Sequence, residues 1–247
     1  MAVLWQQQIN GNRYEVRSHG RTRRLYTNGV CHSDYHPDRA ITRSVWDCLF
    51  LPLLFKPPQS IKRVLVLGVG GGSVMHLLRQ HLPHAEVIGV DVSAVHLEVA
   101  ERYFGLRDVE LHEADAGDWL QSYEGPTFDA IIDDLFLEEG SDAQRAIEAD
   151  VDWFRLLLSR VTGDGVLTMN LPDSRACRQC AWSTHKTLQR QLPVAYALRT
   201  PLLNNVVGAF PRFRTQAHVM KQHLRQIPAL ARAQKQGQLR YSMRRLV

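Results

Sequence analysis

The sequence is short of cysteine. Its 247 residues hold four, Cys31, Cys48, Cys177 and Cys180, too few for the disulfide framework of a secreted scaffold. Cys177 and Cys180 form a C-x-x-C pair, but no second pair or histidine pair at matching spacing completes a structural zinc site. Only Cys31, with His32 and His36, could supply it across space, so reduced cysteines and no metal are expected. Long apolar runs are missing as well. The longest, VWDCLFLPLLF at residues 45–55, is interrupted by Asp47 and Pro52 and is too short to span a bilayer. The opening MAVLWQQQIN has no secretory apolar region. A soluble cytoplasmic protein with no membrane partner is the expectation. No internal repeat and no low-complexity tract is visible.

What is present is a surplus of positive charge. The formal net charge is +5 and the pI about 9.2. The surplus collects at Arg17–Arg24 (RSHGRTRR) and in the tail from Leu224 to Val247. Such patches attract acidic metabolites, nucleic acid or anionic surfaces. A solvated basic tail explains the second patch more simply, and nucleic acid is not the favoured partner.

The apolar fraction of 45% is ordinary for a protein with a substantial core. Residues 3–35 read as β-structure: RYEVRS and RRLYT flank a turn at His19-Gly20, and Asn28-Gly29 is a strong hairpin signal. Residues 41–55 have helical spacing, with Val45, Cys48, Leu49 and Leu53 on one side, and KPPQS at 56–60 is a linker. Strand and helix then alternate. KRVLVLG, AEVIGVD, VELHEA, FDAIIDD and GVLTMNL are the strands, with helices over 73–82, from an N-cap at Ser93 to Phe104, over 150–161 and over about 176–191. VAYALRT and NNVVGAF are close enough to form an antiparallel edge hairpin. The predicted fold is α/β: a doubly wound, mostly parallel, seven-stranded sheet after a small N-terminal β-hairpin module. The expected domains are 1–56, the module and its connecting helix, and 57–247, a Rossmann-type domain with a basic helical tail.

The glycine-rich turn in VLVLGVGGGSVMHLL, residues 64–78, separates three chemistries. A phosphate-cradling loop needs a lysine after the last glycine, and none follows Gly72. A dinucleotide fold needs G-x-G-x-x-G/A; Gly68 and Gly70 fit, but the third position is Ser73. An adenosyl sulfonium carries no phosphate and needs glycine only so that the backbone can approach it. Asp91 ends the second parallel strand, 19 residues after Gly72, where a carboxylate can accept both ribose hydroxyls. Asp115 follows the third strand, where it can take an adenine amino group or cap a helix. Asp133 and Asp134 are consecutive, so one faces into the layers and the other toward the strand tip. The tip carboxylate can act as a general base or sit as an anion beside the sulfonium.

Taken together, VLVLGVGGGS, VIGVDVSAVHLEVAERYFGL, EADAGDWL and FDAIIDDLF resemble the spermidine synthase-like branch of the class I methyltransferase fold. The N-terminal LYTNGV and LPLLF fit the same pattern, and the resemblance runs from about residue 13 to 210. It implies S-adenosylmethionine or its decarboxylated form as cofactor. Gly68, Gly70, Gly71, Gly72, Asp91, Val92, Asp115, Ala116 and Asp133 are the implied cofactor-binding set and Asp134 the catalytic aspartate. Separately, the short hairpins of residues 1–40 leave edges that pairing or covering manages, so a homodimer through the N-terminal module, which also covers the mouth of the site, is expected. Three departures bear on the reaction. The loop reads GVGGGS, without the acidic residue of true aminopropyltransferases; Leu137 stands where they carry a second aspartate; their N-terminal acid-and-histidine signature is not recognisable in DYHPDRAITRSVWD. Polyamines are polycations, and burying them needs several carboxylates. Glu138, Glu139 and Asp142 could form a substitute rim but read as an exposed loop. Methyl transfer to a neutral or anionic acceptor therefore ranks above aminopropyl transfer, with a non-catalytic binding or dimerisation protein third. Arg17, Arg21, Arg23 and Arg24 would draw an anionic acceptor if the module folds over the site.

Overall fold

A computed structural model describes residues 1–136, 144–201 and 203–247. Leu137, Glu138, Glu139 and Asp142 lie outside the described residues. The N-terminal module is a meander of β1 (Ala2–Ile9), β2 (Asn12–His19), β3 (Thr22–Thr27) and β4 (Val30–Tyr35), antiparallel and in sequential order. Asn28 and Gly29, at φ +51° and +85°, make the turn between β3 and β4 that their residue types favour. The segment expected to be one helix over 41–55 is α1 (Val45–Phe50) followed by a 3-10 turn over Leu51–Phe55. Pro52 has no N–H to give an α-helical bond, which explains the tightening.

The main domain then winds as β5 (Arg63–Leu67), α2 (Ser73–His81), β6 (Glu86–Asp91), α3 (Ala94–Arg102), β7 (Glu110–Glu113), α4 (Ala116–Ser122), β8 (Phe128–Asp133), α5 (Val151–Arg160) and β9 (Val161–Leu171). Three short helices follow, α6 (Ser174–Gln179), α7 (Ala181–Thr184) and α8 (Lys186–Gln191), where one had been expected. The chain closes with β10 (Tyr196–Arg199), β11 (Val206–Pro211), α9 (Ala217–Leu224), α10 (Pro228–Lys235) and β12 (Ser242–Arg245). The sheet order is β12-β10-β11-β9-β8-β5-β6-β7. Strands β9, β8, β5, β6 and β7 are parallel; β10 and β11 form the expected antiparallel hairpin. Among the described residues the sheet has eight strands, one more than the sequence suggested. The end of the basic tail pairs Met243 with Leu198 and Arg245 with Tyr196 on the free side of β10, which covers an otherwise open edge.

Alternation along β5 builds the two halves of the core. Val64 and Val66 pack on one face with Leu53, Leu54 and Leu78. Leu65 and Leu67 pack on the other with Ile131, Trp153 and Leu157. A third cluster joins the two sheets: Val16 and Leu25 of the module meet Val99 and Phe104, with Val95 and Tyr103 at its border. The apolar stripe of α3 therefore faces the module.

Two features of this topology place the site. Strand order reverses between β5 and β8, so their carboxyl ends open a crevice at the switch point, where α/β sheets of this kind bind ligands. Meanwhile β4 lies on the glycine turn that follows β5. Ser33 Oγ accepts the N–H of Gly71 (2.6 Å), and Ser73 Oγ bonds both the N–H and the carbonyl of Asp34 (2.9 and 3.1 Å).

Candidate functional site

A cavity of about 660 Å³ opens over the tips of β5, β6, β7 and β8 and is closed from above by the module, a size usual for small-molecule sites. Gly68, Val69 and Gly70 form part of its floor. Gly68 has φ +85°, and a Cβ there would lie 2.4 Å from the Asp134 carbonyl; only glycine lets the first turn pass so close to the tip of β8. Gly71 and Gly72 serve packing. Side chains there would meet Ser33 and Phe104, or Leu106, at 2.9–3.1 Å, and neither residue belongs to the cavity wall. A Cβ at Gly70 would come within 2.9 Å of the His32 carbonyl, so all four glycines make room for the protein's own elements.

Asp91 is buried at the tip of β6 and anchors the turn. Its Oδ2 accepts the N–H groups of Val69 (2.8 Å) and Gly70 (2.9 Å), and its Oδ1 accepts the N–H of Ser93 (2.9 Å) and lies 3.6 Å from Nδ1 of His96. Burial pushes its acidity down, but the imidazole and the backbone donors prevail and hold its pKa below the ordinary value. Three backbone donors bond this carboxylate, short of its full acceptor capacity, so a ribose hydroxyl at this tip would take the acceptor position that His96 faces. Val92 is exposed beside it on the cavity wall. Asp115 caps α4 through Oδ1, accepting from Gly117 and Asp118 (2.8 and 3.1 Å), and with Ala116 also lines the cavity. Capping and ligand binding are compatible there.

The two consecutive aspartates part company. Asp133 is fully buried: its Oδ2 accepts from Arg145 Nη2 and Trp153 Nε1, both at 2.7 Å. It points into the layers behind the sheet, outside the cavity wall, so the expected cofactor contact is not one this side chain makes. Asp134 lines the cavity. Asn170, at the tip of β9, donates to its Oδ1 (2.7 Å), and Trp46 Nε1 donates to its Oδ2 (3.2 Å). Asn205 in turn donates to Asn170 Oδ1 (3.1 Å). Burial, opposed by the Asn170 bond and reinforced by the negative charge of Asp133, lifts the Asp134 pKa to about 7.

The module supplies the rest of the wall. His32 lines it, with Nε2 buried and unpartnered among the described residues, and burial, then neighbouring His96, lower its pKa to about 4. Of the basic cluster only Arg24 reaches the cavity, and it is paired with Asp34 (2.6 Å). Arg17 pairs with Glu15 and lies over Tyr26, Arg21 pairs with Asp38, and Arg23 bonds the carbonyls of Gly20 and Thr22. Arg39 and Arg43, unremarked in the sequence, stand in the wall. Asn170 had a signal available, a polar side chain ending a parallel strand; Trp46 and the two arginines had none. Cys177 and Cys180 are buried in the core, Cys31 lies at the cavity, and among the described residues no His, Cys, Asp and Glu side chains cluster as a metal site.

The set fits an adenosyl group: a glycine turn in the floor at the first tip, carboxylates at the second and third, and a buried imidazole nitrogen without a partner in the wall among the described residues. Fold and cavity define a doubly wound α/β protein whose binding site lies at the topological switch point. The family model described as a methyltransferase domain matches residues 58–232, and the chain belongs to that family. Among curated relatives it is 29% identical over 128 residues to the mouse eEF1A lysine and N-terminal methyltransferase, covering 48% of this chain and 18% of that protein. It is 29% identical over 115 residues to the polyamine aminopropyltransferase of Chromobacterium violaceum, covering 44% and 42%. The matched segment therefore spans less than half of either relative. A probable spermidine synthase from Corynebacterium glutamicum superposes with a TM-score of 0.71 at 14% identity, over 91% of this chain and 88% of that one. Human methyltransferase-like protein 13 in complex with SAH gives 0.62 at 20%, over 77% and 91%. These structural likenesses show the fold.

Proposed function

We propose that the protein is an S-adenosylmethionine-dependent methyltransferase acting on a neutral or anionic acceptor, with Asp134 as its base. The carrying observation is the environment of Asp134. It is a carboxylate at a strand tip, with a pKa near 7 and with each oxygen held by one neutral donor. A base of this strength can take a proton from a hydroxyl or ammonium nucleophile near neutral pH. Asp133, its neighbour, is ion-paired with Arg145 behind the sheet and faces away from the cavity. A polyamine, by contrast, would ask for several carboxylates facing the cavity.

When bound, S-adenosylmethionine supplies an electrophilic methyl carbon whose bond to sulfur breaks with the electron pair left on sulfur. The chain's own part is alignment and proton removal. The glycine turn and Asp91 set the floor, and the Asp91 carboxylate would accept a ribose hydroxyl. Asn170 and Trp46 hold the Asp134 carboxylate toward the acceptor, and its oxygen takes the acceptor's proton. The module shields the reacting atoms from water. The test is a turnover assay offering either cofactor form with putrescine, spermidine and a pooled extract of small metabolites. S-adenosylhomocysteine release on addition of the extract is the expected result. Methylthioadenosine release that depends on an amine would make aminopropyl transfer the function instead.

A further inference from the structure

The segment between β4 and α1 sets two arginines, Arg39 and Arg43, into the cavity wall. Among the described residues neither guanidinium has an ion-pair partner, in contrast to Arg24 on Asp34. The carboxylates of the same cavity make other contacts: Asp91 with the N–H groups of Val69, Gly70 and Ser93, Asp115 with the start of α4, Asp34 with Arg24, and Asp134 with Asn170 and Trp46. They keep their negative charge, but among the described residues none forms an ion pair with Arg39 or Arg43, so both guanidinium groups remain available to an external oxyanion.

Arg43 is also held in place at a cost. Its φ is +63°, in the left-handed region that non-glycine residues rarely occupy. Buried Asp47 enforces the bend: Oδ1 accepts the N–H and hydroxyl of Thr42 (2.7 and 2.9 Å), and Oδ2 accepts the N–H of Arg43 (2.7 Å). Strain of this kind persists where the surroundings over-determine it, and it concentrates at ligand clamps. The same segment leads directly to the base. Ser44, Val45 and Trp46 continue the wall, and Trp46 donates to Asp134. Three peptide steps of about 3.8 Å keep the Arg43 Cα within about 11 Å of the Trp46 Cα. One compact molecule can touch both Arg43 and Asp134.

We infer that the acceptor carries an oxyanion, a carboxylate or a phosphate, which docks on Arg39 and Arg43 and so presents its nucleophile to Asp134. This rests on the methyl-transfer reading and narrows its substrate class. The planar guanidinium fork matches both oxyanions. The apolar and aromatic part of the wall, including Tyr26, Trp46, Phe136 and Ile147, suits an acceptor whose remaining body is apolar.

The test is calorimetric titration of the full chain, saturated with S-adenosylhomocysteine, against benzoate, phenyl phosphate, phenol and putrescine. Benzoate, phenyl phosphate and phenol share one ring and differ chiefly in charge; putrescine is the aliphatic dication. Benzoate or phenyl phosphate is expected to bind, and the tighter of the two identifies the oxyanion. R43Q and R39Q should each weaken that binding by about tenfold, R43K by less. Their affinity for S-adenosylhomocysteine should match that of the unaltered chain. Should a variant unfold, titration of the unaltered chain at rising NaCl decides: anion affinity must fall with salt. The inference is overturned if phenol or putrescine binds as well as the anions, if neither variant weakens them, if salt has no effect, or if no anion binds more tightly than about 10 mM. Absence of S-adenosylhomocysteine binding would strike the methyl-transfer reading and this inference with it; binding of that nucleoside without the anions strikes the inference alone.

Discussion

Asp133 and Asp134 show how one residue's step along a strand decides chemistry. The first is ion-paired behind the sheet, the second is held by neutral donors at the cavity, with a pKa near 7. This predicts a pH signature. The folded chain keeps the Asp134 proton up to about pH 7, whereas the unfolded carboxyl loses it near 3.8. The folded state thus binds more protons between those values, and the stabilisation present below the lower one is lost as pH rises through the upper one. D134N should remove that loss: in chemical denaturation from pH 4 to 8, the stability of the unaltered chain should fall relative to the variant. Parallel curves would show that the pKa is not raised. D134N should also lower methyl transfer by about 10²–10⁴-fold while keeping cofactor affinity, as measured by S-adenosylhomocysteine release and by titration.

At the scale of elements, the decisive contact is β4 on the glycine turn. Ser33 satisfies the buried N–H of Gly71, and Ser73, the residue that breaks the dinucleotide pattern, bonds the backbone of Asp34. The turn is shaped by a second sheet as much as by a ligand. S33A should leave the Gly71 N–H unpaired and cost about 1–3 kcal/mol, read from urea denaturation. Hydrogen exchange at Gly71 should accelerate in the same variant. Unchanged stability and exchange would mean that another group takes the bond.

For the whole molecule, the cavity exists only because two sheets meet across α3. A chain beginning at Ser44 would lose Arg24, Tyr26 and His32 from the wall and uncover Val99 and Phe104. It should bind S-adenosylhomocysteine more weakly than the full chain. The same truncation examines self-association through the module. The outer strand β1 is an edge carrying exposed Val3 and Leu4, the kind of edge that pairing covers. Light scattering of the full chain should give a dimer, and V3K combined with L4K should give a monomer. A truncated chain that is monodisperse with the same subunit count as the full one would refute the role.

By itself, the sequence determined the features that depend on local pattern. Continuous apolar runs bounded by turns identified the parallel strands, Asn28-Gly29 the hairpin, and strand–glycine–helix–strand–acid the binding end of the sheet. Each is set by contacts among neighbouring residues or by one-face burial, which composition and spacing record. Tertiary structure alone decided which of these residues meet at the cavity. Trp46 reaches Asp134 across 88 positions and Ser33 reaches Gly71 across 38. Asp91, expected at a ribose, also supports the glycine turn through the N–H groups of Val69 and Gly70, and the arginines at the cavity are Arg39 and Arg43 as well as Arg24, with Arg17, Arg21 and Arg23 engaged elsewhere. No periodicity encodes such pairings, because they arise from how a sheet and its cover happen to meet, and a charge's partner is settled only when the chain has folded.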